Sequence, residues 1–234
     1  MRSKGAGGGG LSINLSRRTL LVALAVLVLA GLGIGLGIGL SGGGGGSTTL
    51  KKAIPAPAAG KMGFEGIPLE TGPALAPTGS PAPGGSIDGI QCSGSEQLVY
   101  HIHVRLTIFV NGHERAVPAG VGFSKPQVQQ TAHGPVVGGG ACVSWLHTHT
   151  TDGIVHIESP LVRTYTLGNF FDIWRQPLSQ TQVGPAKGKV TVLVNGKVWT
   201  GNPRSVPLNA HTQIQLEVGK PLVQPVTISN WAGL

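Results

Sequence analysis

Between residues 100 and 110 the chain reads YHIHVRLTIFV, and its apolar positions fall on every second residue. Tyr100, Ile102, Val104, Leu106, Ile108 and Val110 point one way; His101, His103, Arg105 and Thr107 point the other. A period of two marks a half-buried strand. Asn111-Gly112 follows, a dipeptide suited to a tight turn with both residues at positive φ, so the segment predicts a β-hairpin. The device returns: LTIFVNGHERAVP at 106–118 is echoed by VTVLVNGKVWTGNPRSVP at 190–207. Two such units suggest an internal duplication or a pseudo-symmetric β domain, although Asn-Gly hairpins are common enough to arise independently. One stretch keeps a helical period instead. In TLGNFFDIW, Leu167, Phe170, Phe171 and Trp174 fall at i, i+3, i+4 and i+7, with Thr166 placed to cap the helix and Pro177 to end it. HTQIQLEVG and LVQPVTISNW supply the last strands, the second an edge because of Pro225. The predicted fold class is mostly β (α+β), an antiparallel β-sandwich or barrel-like domain with two Asn-Gly hairpins and one short helix.

The N-terminal third has no such pattern. Residues 19–40 carry no charge and only small or aliphatic side chains after the first. At ~1.5 Å per residue they span a hydrocarbon core of ~30 Å as a helix. Arg2, Lys4, Arg17 and Arg18 precede this segment, while Lys51 and Lys52 lie further beyond it. That asymmetry predicts a cytoplasmic N-terminus at 1–18, a transmembrane anchor at 19–40 and an extracytoplasmic C-terminal domain, in a single-pass protein of the cell membrane. A cleaved export signal is the alternative, because SRRTLL resembles a twin-arginine signal. Residues 41–89 are rich in Gly and Pro and predict a disordered linker, since they offer little apolar surface to offset chain entropy. The β-rich domain then covers 90–234.

The net charge of +8 and pI near 9.9 change this picture little. From residue 87 onward ten Lys/Arg stand against seven Asp/Glu, with no basic helix and no basic run interleaved with aromatics. Nucleic-acid binding is therefore not expected. Cys92 and Cys142 are the only cysteines. Outside the cytoplasm such a pair predicts a disulfide; two thiolate metal ligands are the alternative, although the spacing matches no zinc motif.

The candidate chemistry lies in WLHTHTTDGIVHIES at 145–159. If Asp152-Gly153 is a two-residue turn, His149 faces His156 and His147 faces Glu158 across the hairpin. Directly opposed residues share a face, so His147, His149, His156 and Glu158 gather on one side, with Leu146, Thr148, Val155 and Ile157 on the other. His101 and His103 segregate from aliphatics in the same way. Placed on neighbouring strands, these five imidazoles and one carboxylate form a metal site, since neutral imidazole is the commonest protein ligand for transition metals. Zn or Cu fits best, with Mn or Fe also possible; the absence of a Met cluster argues against Cu(I). Glu158 is a fourth ligand, a group that orients an imidazole, or a catalytic base. His113, His133 and His211 read as solvated or locally bonded. Trp145 shares the parity of His147 and would either wall the site or simply pack.

These same segments carry a resemblance. YHIHVRLTIFVNG, VPAGVG, CVSWLHTHTTDGIVHIESP and TLGNFFDIW resemble a family of uncharacterised, membrane-anchored or secreted prokaryotic proteins with a YHxH strand, an LHTH…GIxHxES hairpin and an FFDIW segment. The likeness covers about 92–231. Relatives often carry Asp directly after LHTH, where this chain has Thr150. The resemblance implies an extracytoplasmic setting and no particular activity. The expected function is a membrane-anchored domain that binds a divalent transition metal through its histidine cluster, for capture, delivery or sensing. The alternatives are a three-histidine metalloenzyme using Glu158 and an interaction module without metal. A protein partner is not identifiable from the sequence.

Overall fold

The computed structural model describes residues 50, 52–79 and 81–234, and in it Tyr100–Val110 is an interior strand, β1, of a seven-stranded sheet. The other strands are β2 (His113–Glu114), β3 (Leu146–His147), β4 (Ile154–Ser159), β5 (Val190–Val194), β6 (Lys197–Trp199) and β7 (Gln213–Val218). Their order is β6-β5-β7-β1-β4-β3, with β2 folded back on the end of β1. Both Asn-Gly turns form as the sequence predicts: φ is 51° at Asn111 and 79° at Gly112, and 50° at Asn195 and 74° at Gly196. Asparagine and glycine tolerate that left-handed region, and its twist matches the strands it joins.

The aliphatic stripe of β1 builds the core. Val104, Leu106 and Ile108 join Leu146, Val155 and Ile157 in one buried cluster with helix α1 (Leu167–Trp174). Helix α1 is short, and tertiary packing holds it: Leu167, Phe170, Phe171, Ile173 and Trp174 are all buried. Its start is a capping box, in which Asn169 N donates to Thr166 Oγ1 and Thr166 N donates to Asn169 Oδ1. A smaller sheet, Ile90–Ser93 and Phe123–Ser124 on either side of Cys142–Ser144, carries the Cys92–Cys142 disulfide, with Cα atoms 5.4 Å apart. The sulfurs are therefore bonded to each other and are not thiolate ligands.

Three expectations need correction. Among the described residues no barrel closes, and β7 runs parallel to β1, with Gln213 beside Arg105 and Val218 beside Val110. LVQPVTISNW makes only an isolated bridge, Val223 to Ile54. Pro221 and Pro225 have no N–H for a ladder, and glutamine amides of β7 take over the pairing. Val226 N donates to Gln215 Oε1 at 2.8 Å, and Ile228 N donates to Gln213 Oε1 at 2.7 Å.

The third correction concerns the expected linker at 41–89. Where the structure describes it, the segment lies against the domain as an extended strap. Ile67 and Leu75 are buried, Glu70 N donates to Thr151 O, Leu75 N donates to Ala116 O, and Trp174 Nε1 donates to Pro77 O. Sparse apolar anchors and backbone bonds suffice to dock a chain whose average composition is that of a spacer. Strap and tail meet over the polar side of β1, where Ala56–Gly60 and Pro225–Ile228 line a cavity of about 270 Å³ together with Arg105. The polar face of β1 is thus covered, and His103, Arg105 and Thr107 are all buried. The proposed cytoplasmic segment at 1–18 and anchor at 19–40 lie outside the described residues. Among the described residues no helix is long and apolar enough to cross a membrane.

Candidate metal centre

Three adjacent strands bring the histidines together. Between β4 and β1, His156 lies opposite His103 and Glu158 opposite His101; between β4 and β3, His156 lies opposite His147. Opposed residues share a face, so His101, His103, His147, His156 and Glu158 occupy the side away from the core cluster.

The hairpin register differs from the expected one by two residues. Asp152-Gly153 predicts His149 opposite His156, whereas the structure pairs His147 with His156 and Leu146 with Ile157. The chain between them bulges out because its polar groups find other partners. Thr148 N donates to Val121 O, Gly120 N to Thr148 O, Thr148 Oγ1 to Pro118 O, and Ile154 N to Asp152 Oδ1. An even slip returns every side chain to its original face, so the grouping survives the wrong register.

His149 reaches the cluster from this bulge, clamped by one residue at two points. Val137 N donates to His149 O at 2.9 Å, and His149 Nδ1 lies 2.6 Å from Val137 O. His147 Nδ1 lies 2.9 Å from Ser144 O. A carbonyl only accepts, so both Nδ1 atoms carry the ring proton, and a neutral ring then leaves Nε2 as a bare lone pair. Those two Nε2 atoms are 3.1 Å apart. Neither has a proton to give the other. Burial and the neighbouring imidazoles push His147 well below the ordinary histidine range, lower His149, and take His103 to about 3, so all three rings are neutral near pH 7.

His156 sits between carboxylates. Its Nε2 is 3.0 Å from Glu65 Oε1 and its Nδ1 is 3.5 Å from Glu158 Oε1. Burial pulls its pKa down, but contacts with Glu158 and Glu65 outweigh that and hold it at about 9. Without a metal, a proton on His156 is thus the cation of the cluster. That proton leaves much unmet: both ring nitrogens of His156, Glu65 Oε2, Glu158 Oε2 and Asp152 Oδ2 are buried with no aligned hydrogen-bond partner.

The possible ligand atoms form two groups, each with its atoms within 4.8 Å of one another: His101, His103, His156, Glu158, and His147, His149, His156, Glu158. His101 is the most open, with 41 % of its side chain exposed, while Glu158 is 4 % exposed. His149 Nε2 is 3.6 Å from Glu96 Oε1, and Glu96 lines a cavity of about 270 Å³ together with Phe123 and Gly138.

The structure therefore brings together all six residues singled out in the sequence, His101, His103, His147, His149, His156 and Glu158. His113, His133 and His211 lie outside both groups; His211 is stacked on Trp231. Trp145 packs in the hydrophobic core and donates to Ser93 Oγ, so it does not wall the site. Sequence reasoning missed Glu65, Glu96 and the acidic role of Asp152, as well as the carbonyls of Val137 and Ser144. The one signal for Glu65 was an isolated acid in a stretch nearly free of charge; nothing local marked the others.

A disulfide-linked, mostly β domain with a buried histidine–carboxylate cluster is the class that this fold and site define. No protein-family model, no curated protein and no solved structure matches the chain.

Proposed function

We propose that the domain binds a divalent transition-metal ion through His147, His149, His156 and Glu158. Zn(II) or Cu(II) is favoured over Mn or Fe by a donor set dominated by imidazole. One observation carries the reading: the Nε2 atoms of His147 and His149 stand 3.1 Å apart while each Nδ1 is committed to a backbone carbonyl. Two lone pairs at that distance repel each other unless a cation lies between them. Ligands ~2.0–2.1 Å from a tetrahedral ion are themselves about 3.3 Å apart, and fixing Nδ1–H on an acceptor is how proteins orient imidazoles toward a metal. Both oxygens of Glu158 face imidazoles, which suits a ligand better than a catalytic base.

The proposed setting is outside the cytoplasm, in a protein anchored through residues 19–40. The disulfide supports that setting, because such bonds persist in oxidising compartments. Capture, delivery or sensing of the ion at the cell surface follows as the use.

Elemental analysis of the full-length chain, purified in detergent and dialysed after zinc loading, tests this. Stoichiometric zinc is expected, and His147→Ala combined with His149→Ala should remove the ion bound at these residues while circular dichroism still reports a folded β domain. Wild-type protein that retains no zinc or copper would overturn the reading.

A further inference from the structure

We infer that the centre holds two ions, bridged by Glu158: an inner one on His147 and His149, and an outer one on His101 and His103. The inference rests on the metal reading above and goes beyond it in number, place and bridge.

The sheet register sets the geometry. β4 carries His156 and Glu158 and lies between β1, which carries His101 and His103, and β3, which leads to His147 and His149. The two imidazole pairs therefore approach β4 from opposite flanks. Their ligand atoms fall into two groups rather than one, and His156 and Glu158 are the members common to both.

Each pair has the spacing of ligands on one ion. His101 Nε2 is 3.0 Å from His103 Nε2, as His147 Nε2 is 3.1 Å from His149 Nε2. Glu158 divides its oxygens between them: Oε1 is 3.2 Å from His101 Nε2, and Oε2 is 3.9 Å from His147 Nε2. A carboxylate with one oxygen toward each of two ligand pairs is placed as a bridge. Paired ions in such centres lie about 3.5–4 Å apart, which the two oxygens of a single carboxylate can span.

Charge agrees with cation binding at this place. Glu65, Glu96 and Glu158 each lie against a histidine of the cluster, and Asp152 adjoins Glu65. Glu158 and Asp152 are buried, Glu65 is nearly so with 9 % of its side chain exposed, and Glu96 is exposed, so the acids favour bound cations and the ligand geometry sets their number. The acids are concentrated at this place in a chain of net charge +8 with only nine Asp and Glu.

The two positions are unequal. The inner imidazoles have carbonyls that fix their Nδ1 protons, whereas His101 is partly open to solvent and His101 Nε2 and His103 Nε2 contact each other. The outer ion binds second and more weakly, and it is the one that exchanges with solvent.

The test uses the full-length chain in detergent, stripped with a chelator and titrated with Zn(II), with bound metal counted after equilibrium dialysis. Two equivalents are expected, the second filling at higher free zinc. His101→Ala combined with His103→Ala should retain one equivalent, at the tighter affinity. With Cu(II) in place of zinc, the wild-type paramagnetic signal should fall below that of two isolated ions through magnetic coupling, and the double variant should restore one full uncoupled signal. A wild-type endpoint of one equivalent, two uncoupled Cu(II) signals, or a folded double variant that still binds two or binds none would overturn the second site while leaving metal binding itself in place. Wild-type protein that binds no metal would overturn both readings. Should the double variant fail to fold, the wild-type endpoint and its copper signal decide alone.

Discussion

Glu65 shows how much one side chain can add to a cluster built by others. It comes from the strap and places a carboxylate oxygen 3.0 Å from His156 Nε2. With Nε2 facing Glu65, Nδ1 is the nitrogen turned toward Glu158. A carboxylate paired with a ligand imidazole fixes the ring's orientation and raises its basicity, and losing such a partner typically weakens metal binding 10–100-fold. Glu65→Gln should therefore weaken zinc affinity within that range, measured by competition with a chromophoric chelator, while leaving the fold intact. Unchanged affinity would reduce Glu65 to a bystander. Five of the six cluster residues were legible in the sequence because period-two alternation assigns faces without needing partners, whereas His149 joins them from the bulge, held by Val137. Glu65 was not, because nothing in GFEGIP says which strand it will meet. The carbonyls of Val137 and Ser144 were invisible for a plainer reason, since every residue has one.

The elements show where local reading fails. The helix and both Asn-Gly hairpins were legible because capping, periodicity and turn chemistry are local. The Asp152-Gly153 hairpin came out two residues off because Thr148 and its neighbours are bonded by the segment at 118–121, a contact no local rule contains. The strap and tail were misread as linker and strand for the same reason. The strand under the tail carries a titratable group that the tail helps to bury. Glu217 Oε1 on β7 accepts from Gln215 Nε2 at 2.6 Å and from Val223 N at 3.2 Å, and burial outweighs those bonds to raise its pKa to about 7. A carboxyl raised on folding binds its proton more tightly in the native state. Its stabilising effect is thus complete below the unfolded value near 4.5 and is lost as pH rises through about 7. At about 1.4 kcal/mol per unit the loss is on the order of 3 kcal/mol. Glu217→Gln keeps an acceptor for both donors and should remove this dependence. Thermal unfolding should find the variant more stable than wild type at pH 8 and no more stable at pH 4.5. Parallel pH curves for the two proteins would refute the assignment.

At the scale of the molecule, the disulfide holds the histidine sheet and the proposed ion would hold it too, each acting on a different state. Closing a loop with a sequence separation of 50 through Cys92–Cys142 restricts the unfolded chain, by about 4 kcal/mol in the chain-entropy model. A bound ion acts on the native state alone, adding about 2.7 kcal/mol when free metal is a hundredfold above Kd. The disulfide lies close to the centre, because Cys142–Ser144 runs directly into β3 and Ser144 O faces His147 Nδ1. Proximity alone does not make the two interdependent. Cys142–Ser144 is paired on one side with Cys92 and Ser93 and on the other with Phe123 and Ser124, and Ser144 N donates to Gly122 O. Those ladders keep the Ser144 carbonyl in place without the covalent bond. The contributions should therefore add. Replacing both cysteines by alanine should lower the Tm of the metal-free protein by roughly 8–16 °C, at about 2–4 °C per kcal/mol for a domain of this size. Zinc at a hundredfold above the Kd of the inner site should raise Tm by roughly 5–11 °C through that site, and by the same amount with or without the disulfide. A zinc increment that vanishes in the cysteine-free variant would show that the bond positions His147 and that the sheet ladders do not.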